Sequence, residues 1–221
     1  MTEPYYQDDL VKLYHGDCRE VAEWLEADVL VTDPPYGRAW KQGESGIARG
    51  WSSDAHPGIA GDKDTTTRDA ALHAWGPRPA ILFGDLMLSP PSGTKQVLIL
   101  QKSPLMGTKG TFLNFRRDAE AIYLLGWRAG LGGTTSVLQS GALGNQVQKA
   151  GQHPHAKPLD VMETLLVRTD GTIADPFAGS GSTLVAAKQL GRRAIGVELE
   201  EAYCEIAARR LAQDTLFGGV A

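Results

Sequence analysis

The C-terminal third of this chain constrains its fold more than any other part, because short β-rich runs alternate there with helical ones. Leu159 to Val167 has helical spacing, and Thr172-Ile173-Ala174 reads as a strand ending at Asp175. Ser182 to Leu190 is a second helix, and Gly191 after it suits the C′ position, where glycine tolerates left-handed backbone. Ala194 to Glu198 is another strand. Glu200 to Gln213 is an amphipathic helix with Ala202, Tyr203, Ile206, Ala207 and Leu211 on one face. Strands alternating with helices imply an α/β fold, a mostly parallel sheet covered on both faces. The N-terminal stretch fits the same plan. Lys12 to His15 and Asp28 to Thr32 read as strands, and Glu20 to Leu25 reads as a helix with Val21, Trp24 and Leu25 on one face. The second strand stops at Pro34-Pro35, since proline cannot continue a central strand. Further on, Thr67 to Trp75 is predicted helical, with Leu72 and Trp75 on one face. Ala80 to Phe83, Val97 to Leu100 and Ala121 to Leu125 are predicted as strands, the first two buried. Gly37 to Thr67 and Gly126 to Gln152 carry no clear period, and no internal repeat is visible.

The 221 residues fit one domain with a modest insertion, large enough for a core without disulfides. The two cysteines, Cys18 and Cys204, stand in no metal-ligand spacing, which fits a reducing cytoplasm. His153 and His155 have no acid or thiol cluster to complete a metal site. The polar, acidic start from Met1 to Leu10 does not read as a signal peptide, and no apolar run approaches about 18 residues, so no membrane partner is expected.

The turn Asp175-Pro176-Phe177-Ala178-Gly179-Ser180-Gly181-Ser182-Thr183 lies between a predicted strand and a predicted helix. In open α/β sheets, ligands sit beyond the carboxyl ends of the strands at such turns. Gly179 and Gly181 permit tight backbone and close approach, although a strand–helix turn can also need glycine merely to pack. The phosphate-loop pattern is absent, and the third glycine of a dinucleotide fingerprint would fall at Leu184. The next strand ends in Glu198, an acid placed to accept ribose hydroxyls. These features favour a nucleoside cofactor with no phosphate to cradle.

Asp33-Pro34-Pro35-Tyr36-Gly37 follows a predicted buried strand. The two prolines remove backbone donors and stiffen the turn. The Asp33 carboxylate and the Pro34 carbonyl then form a pair of acceptors beside the flat ring of Tyr36. Two converging acceptors and a ring suit a planar amine with two N–H donors, such as the exocyclic amine of adenine or cytosine. Accepting both N–H bonds favours rehybridisation and exposes a lone pair that is otherwise conjugated into the base.

With these motifs the chain resembles the S-adenosylmethionine-dependent DNA amino-methyltransferases. Asp33-Pro34-Pro35-Tyr36 is similar to that family's catalytic motif, the Asp175–Thr183 turn to its cofactor motif, and Glu198 to its ribose-binding acid. His153-Pro154-His155-Ala156-Lys157-Pro158 resembles the His-Pro-x-x-Lys-Pro element before the cofactor strand, and Gly16-Asp17-Cys18 the Gly-Asp element before the catalytic strand. The catalytic motif comes first, which resembles the circularly permuted "beta" order. The resemblance implies a Rossmann-like, mostly parallel seven-stranded sheet of class I methyltransferase type. It implies that Asp33 and the Pro34 carbonyl hold the target amine, Pro35 stiffens the turn, and Tyr36 stacks on a flipped base. Asp175, Phe177, Gly179 and Gly181 would line the methionine end of the cofactor, with Asp33 bordering it. Ser180 and Thr183 would help there or act as helix caps. Glu198 would bind the ribose, Asp17 and the Cys18 backbone the adenine, Lys157 the cofactor carboxylate, and His153 would buttress Lys157. Lys157 as a solvated surface lysine is the alternative. Asp at the first motif position favours adenine N6 over cytosine N4. Methyltransferases of RNA or of protein glutamine, and a silent DNA-binding relic, are the rival classes.

Double-stranded DNA is the implied partner. The 127–152 stretch is too short for an independent recognition domain. The 38–68 loop carries Arg38, Lys41, Arg49, Lys63 and Arg68 with Trp40 and Trp51, basic and aromatic residues suited to phosphates and bases. A solvated loop is the plainer reading of the same residues. A homodimer would extend the footprint, no nuclease motif is recognisable, and the composition suits a bacterial cell or a phage-infected host. The net charge of −4 conceals a division: residues 36–155 carry 13 Lys+Arg against 8 Asp+Glu, while the ends are acidic.

Overall fold

A computed structural model of the chain describes residues 2–38, 61–102, 118–127, 133–141 and 156–217, with side chains to 213. Nine strands form one sheet among them. They are β1 (Tyr6–Gln7), β2 (Val11–His15), β3 (Val29–Thr32), β4 (Ala80–Gly84), β5 (Thr94–Gln101), β6 (Ala119–Leu125), β7 (Val137–Gln139), β8 (Ile173–Asp175) and β9 (Ala194–Glu198). The helices are α1 (Thr66–Trp75), α2 (Leu159–Leu166), α3 (Ser182–Gln189) and α4 (Glu201–Phe217). The strand order is β1-β2-β9-β8-β3-β4-β6-β5-β7. Only β1 and β6 run against the rest. The expected seven strands are the run from β2 to β5, and one short strand is added at each edge.

Alternation along the central strands sends their side chains to two cores. Val29 and Val31 of β3, with Ile81 and Phe83 of β4, pack among α2, α3 and α4. Leu30, Ala80 and Leu82 point to the other face and meet Trp24 and Trp75. The two indoles stack with centroids 5.9 Å apart and planes 12° apart, and the Arg78 guanidinium lies 3.5 Å from the Trp75 ring. Because Trp24 also donates to the Cys18 carbonyl at 2.9 Å, the segment read as a helix from Glu20 to Leu25 tightens into a 3₁₀ turn over Glu23–Glu26.

Two other expectations change. The run Val97 to Leu100 lies within β5, near the sheet edge, where only Leu100 is buried. The weakly patterned stretch after Gly126 contributes β7, three residues parallel to β5. Gly191 closes α3 as expected, with φ +67°. Arg192 N–H donates to the Ala187 carbonyl and Gly191 N–H to the Lys188 carbonyl, the paired bonds of a Schellman motif. No described helix is long and apolar enough to cross a membrane.

The topology fixes where a ligand can sit. From β8 the chain passes through α3 to β9 on one side, whereas from β3 it passes through α1 to β4 on the other. The strand order reverses between β8 and β3, and the crevice beyond their carboxyl ends is the default site of an open α/β sheet. The tight β4–β6 pairing behind it yields a test. A Cβ at Gly84 would stand 2.3 Å from the Tyr123 ring, whose hydroxyl is tied to the Asp85 carbonyl at 2.9 Å. Gly84→Ala is expected to lose about 1–3 kcal/mol of stability. Thermal unfolding should register roughly 2–4 °C per kcal/mol.

Candidate active site

Parallel register brings five acid-bearing strand exits to one edge. Asp17 follows β2, Glu198 ends β9, Asp175 ends β8, Asp33 follows β3 and Asp85 follows β4. Pairings such as His15 with Glu198 and Asp175 with Gly196 keep these exits level. At the switch point itself, Thr32 donates through Oγ1 to Asp175 Oδ1 at 2.6 Å, so the last residue of β3 is tied to the last of β8.

The glycine turn divides its two glycines between two tasks. Gly179 has φ +52°, and a Cβ there would meet no atom within 4 Å, which leaves an open notch at the strand tips. Gly181 has φ +81°, and a Cβ there would lie 2.9 Å from Ala207 of α4, so this glycine is needed for close helix packing. Glu198 is 8% exposed, and its two oxygens accept from the Gly179 N–H at 2.7 Å and the Glu200 N–H at 2.8 Å. Burial raises its pKa despite these bonds. Ser180 is buried, with its carbonyl accepting from Arg210 at 2.6 Å. Neither Ser180 nor Thr183 caps α3: its N-cap is Gly181, with no side-chain cap bond. Thr183 instead hydrogen-bonds the Asp175 carboxyl. Phe177 packs on the core and its N–H donates to Asp175 Oδ1 at 3.1 Å. A buried acid, a notch without a side chain and a ring at the β8 tip fit the expected nucleoside cofactor. On the β2 side, the Asp17 carboxylate is gripped by Arg19, which lowers its pKa, and Cys18 is buried.

The Asp33-Pro34-Pro35-Tyr36 turn is held by charge. Tyr36 donates to Asp33 Oδ1 at 2.6 Å, and Lys157 lies 3.0 Å from Asp33 Oδ2. Lys157 is no surface lysine. Its side chain is 10% exposed, and it also donates to the Tyr36 hydroxyl and to Glu120 Oε2, each at 3.0 Å. An ammonium has three N–H donors, and all three are used here. Burial would push Glu120 up, but Lys157 and Lys102 outweigh it and hold the carboxyl at about 2. The Tyr36 hydroxyl is raised well above its ordinary value by burial and by Asp33 and Glu120.

Three of the expected DNA-contacting residues, Arg38, Lys63 and Arg68, are described. Arg38 pairs with Asp85, donating through Nη2 to Oδ1 at 2.5 Å, and Asp62 accepts from the N–H of Gly37 at 2.8 Å. Arg68, largely buried, pairs with Asp69 at 2.8 Å, while Lys63 is exposed. Trp40, Lys41, Arg49, Trp51 and His153 lie outside the described residues. The sequence reading missed Asp85 and Glu120. Each had a signal: Gly84-Asp85 repeats the Gly16-Asp17 strand exit, and Glu120 interrupts an apolar strand.

Asp175 offers a measurable signature. Burial pushes its carboxyl up to about 7, against hydrogen bonds from Thr183, Thr32 and the Phe177 N–H. In the unfolded chain an aspartate titrates near 3.9, so between about pH 4 and 7 the folded state binds the extra proton and loses stability as pH rises. Asp175→Asn lacks this group. Across that window, unfolding measurements should show the wild type losing stability relative to the variant, with a constant gap on either side.

Comparison with known proteins agrees with this geometry. A family of DNA methylases, of the N6 and N4 type, matches residues 100–209. The type II methyltransferase M.ScaI of Streptomyces caespitosus is 40% identical over 258 residues, covering 96% of this chain and 84% of the relative. The type II methyltransferase M2.DpnII of Streptococcus pneumoniae is 45% identical over 76 residues, 33% of this chain, and the match spans only 28% of that relative's length. Among solved structures, the M1.HpyAVI complex with S-adenosylmethionine superposes with a TM-score of 0.63 at 20% identity, covering 91% of this chain and 99% of that one, a likeness of fold. The chain belongs to the S-adenosylmethionine-dependent DNA amino-methyltransferases, the N6/N4 DNA methylases.

Proposed function

We propose that this chain methylates the exocyclic N6 amine of adenine at a specific site in double-stranded DNA, acting on a base turned out of the duplex. The observation that carries the reading is the junction of β3 and β8. There the Asp33-Pro34-Pro35-Tyr36 turn and the glycine turn are neighbours, tied by Thr32 to Asp175 at 2.6 Å. When bound, S-adenosylmethionine supplies a methyl group on a sulfonium sulfur, open to in-line attack by an amine lone pair, with the electron pair of the broken bond left on sulfur. Asp175, Phe177, Gly179, Gly181 and Glu198 would hold it, with Ser180 and Thr183 shaping the turn and Asp17 and Cys18 at the β2 exit.

Asp33 and the Pro34 carbonyl accept the two N–H bonds of the amine. An ionised carboxylate has about four lone-pair sites, so Asp33 can take one N–H while keeping Lys157. Asp33 then receives the proton that the methylated nitrogen sheds. Tyr36, fixed by its bond to Asp33, sets the plane on which the base rests. No thiolate takes part: burial raises the Cys18 thiol to about 11 and the Cys204 thiol to about 12. The choice of adenine rests on aspartate at the first motif position, and cytosine N4 is the other outcome of the test.

Asp33→Ala is expected to lower turnover by about 10²-fold or more while cofactor binding survives. Unchanged turnover in that variant would sink the assignment. Nucleoside mass spectrometry of DNA methylated by the wild type should return N6-methyladenine. Charge in the 38–68 loop is the proposed source of DNA affinity. Replacing Lys41 and Arg49 with Gln should weaken binding across sequences and reduce the salt slope by about 2, one per lost phosphate contact. An unaltered slope would remove the loop from the interface.

A further inference from the structure

A line of alternating charges runs from the sheet into the catalytic turn. Lys102, after β5, meets Glu120 Oε1 at 2.5 Å, and Glu120, on the antiparallel strand β6, meets Lys157 with its other oxygen. Lys157, before α2, reaches Asp33. The side chains of Lys157 and Glu120 are 10% and 15% exposed. A buried ammonium held by two carboxylates is weakened when one is removed, because a single anion is then left to offset its burial. The Phe83 ring, 4.9 Å from the ammonium, closes its apolar side.

We propose that Glu120 is a positioning residue for methyl transfer: it holds Lys157 against Asp33 Oδ2, and so fixes the orientation of the carboxylate that receives the target amine. The inference rests on the function proposed above and reassigns Lys157 from the cofactor to Asp33. Tyr36 fixes one oxygen of Asp33 and Lys157 the other, so the carboxylate cannot rotate. Lys102 neutralises the far side of Glu120, which leaves Lys157 shared between two anions rather than captured by one.

The groups facing Lys157 give the proposal a pH signature. Asp33 and Tyr36 face it from the turn after β3, and Glu120 from β6, with Lys102 behind Glu120 and Asp85 behind Tyr36. The two carboxylates outweigh burial and raise the Lys157 pKa. With Glu120 neutral, burial opposes the ammonium against Asp33 alone, and Lys157 loses its proton at a lower pH.

The test uses the full chain with S-adenosylmethionine and duplex DNA carrying its methylation site. Glu120→Gln should lower kcat about ten- to hundredfold through misplacement of the carboxylate. Its affinity for S-adenosylmethionine should stay within about twofold, as for a group acting outside ground-state binding. The alkaline limb of the kcat profile should move to lower pH. In protein labelled with ¹⁵N-lysine, the Lys157 Nζ titration should fall with it. Glu120→Gln combined with Lys157→Arg should restore the alkaline limb, since guanidinium keeps its charge. Glu120→Asp, which preserves the neutral chain if the Gln variant does not fold, should lose kcat with the limb in place. Wild-type kcat and profile in the folded variants would overturn the proposal, as would a loss confined to cofactor affinity. If wild-type protein transfers no methyl group to DNA, the proposed function fails. The Nζ titration then decides for or against the Glu120–Lys157 coupling on its own.

Discussion

The pairing of β3 with β8 is the constraint on which the rest of the molecule depends. It consists of two registered residue pairs, Val29 with Ile173 and Leu30 with Ala174. Around them Asp28 binds Thr172 through backbone and side chain, at 2.9 and 2.6 Å, and Thr32 binds Asp175. These contacts join segments more than 140 residues apart in sequence. A chain in which the Asp33–Tyr36 turn and the glycine turn lie so far apart requires such a seam, because the two turns must become neighbours without being consecutive. Gly171 shows how closely the seam is drawn: φ is +74° and a Cβ there would fall 2.3 Å from Asp28 Oδ2. Placing so much of the fold on distant pairing also delays it, since loop closure precedes the contacts that reward it.

Burial acts on the two sides of this seam with opposite results. Asp175 and Glu120 are both enclosed carboxyls, yet Asp175 rises to about 7 and Glu120 falls to about 2. The difference is the partner. Asp175 has hydroxyls and an N–H, which soften desolvation without cancelling it, whereas Glu120 has two ammonium groups. The proposed cofactor side thus carries an acid that can be neutral near physiological pH, and the proposed transfer side one held ionised. Thr32 stands between them, bonded to Asp175 and one residue before Asp33. A charged, rigid acceptor is what an amine donor needs.

Sequence pattern was legible where one residue type has one physical use. Gly191 needed left-handed backbone, Pro34 and Pro35 had to end a strand, and the full burial of β3 followed from Val29-Leu30-Val31. It failed where distant packing decides. Nothing local says that Trp24 will stack on Trp75 and draw its segment into a 3₁₀ turn. An apolar run such as Val97 to Leu100 looks buried until its neighbours are known. The site divided similarly. Four of the five acids at strand exits were read from the sequence and Asp85 was not, while Lys157 was ambiguous because only folding brings it between Asp33 and Glu120, residues from two other segments.

The same separation of local from distant sharpens the argument from charge. Residues 36–155 hold a basic excess, and the sequence alone assigns it to DNA. The fold spends part of it internally. Arg38 is paired to Asp85, Arg68 to Asp69 and Lys102 to Glu120, and Arg78 donates to the carbonyls of Leu25 and Ala27 while lying over Trp75. These pairings remove cations and anions in nearly equal number, so the excess survives but moves to other side chains. Arg38 then serves as an anchor for the root of the Asp33–Tyr36 turn, with Asp62 gripping the adjacent backbone. Phosphate attraction is short-ranged, screened over about 8–10 Å at physiological salt. What counts for a duplex is therefore where cations remain unspent beside Asp33, not the sum over the region. Lys63 is exposed in the same loop, and Lys41 and Arg49 between it and Arg38 are the residues on which the proposed DNA contact rests.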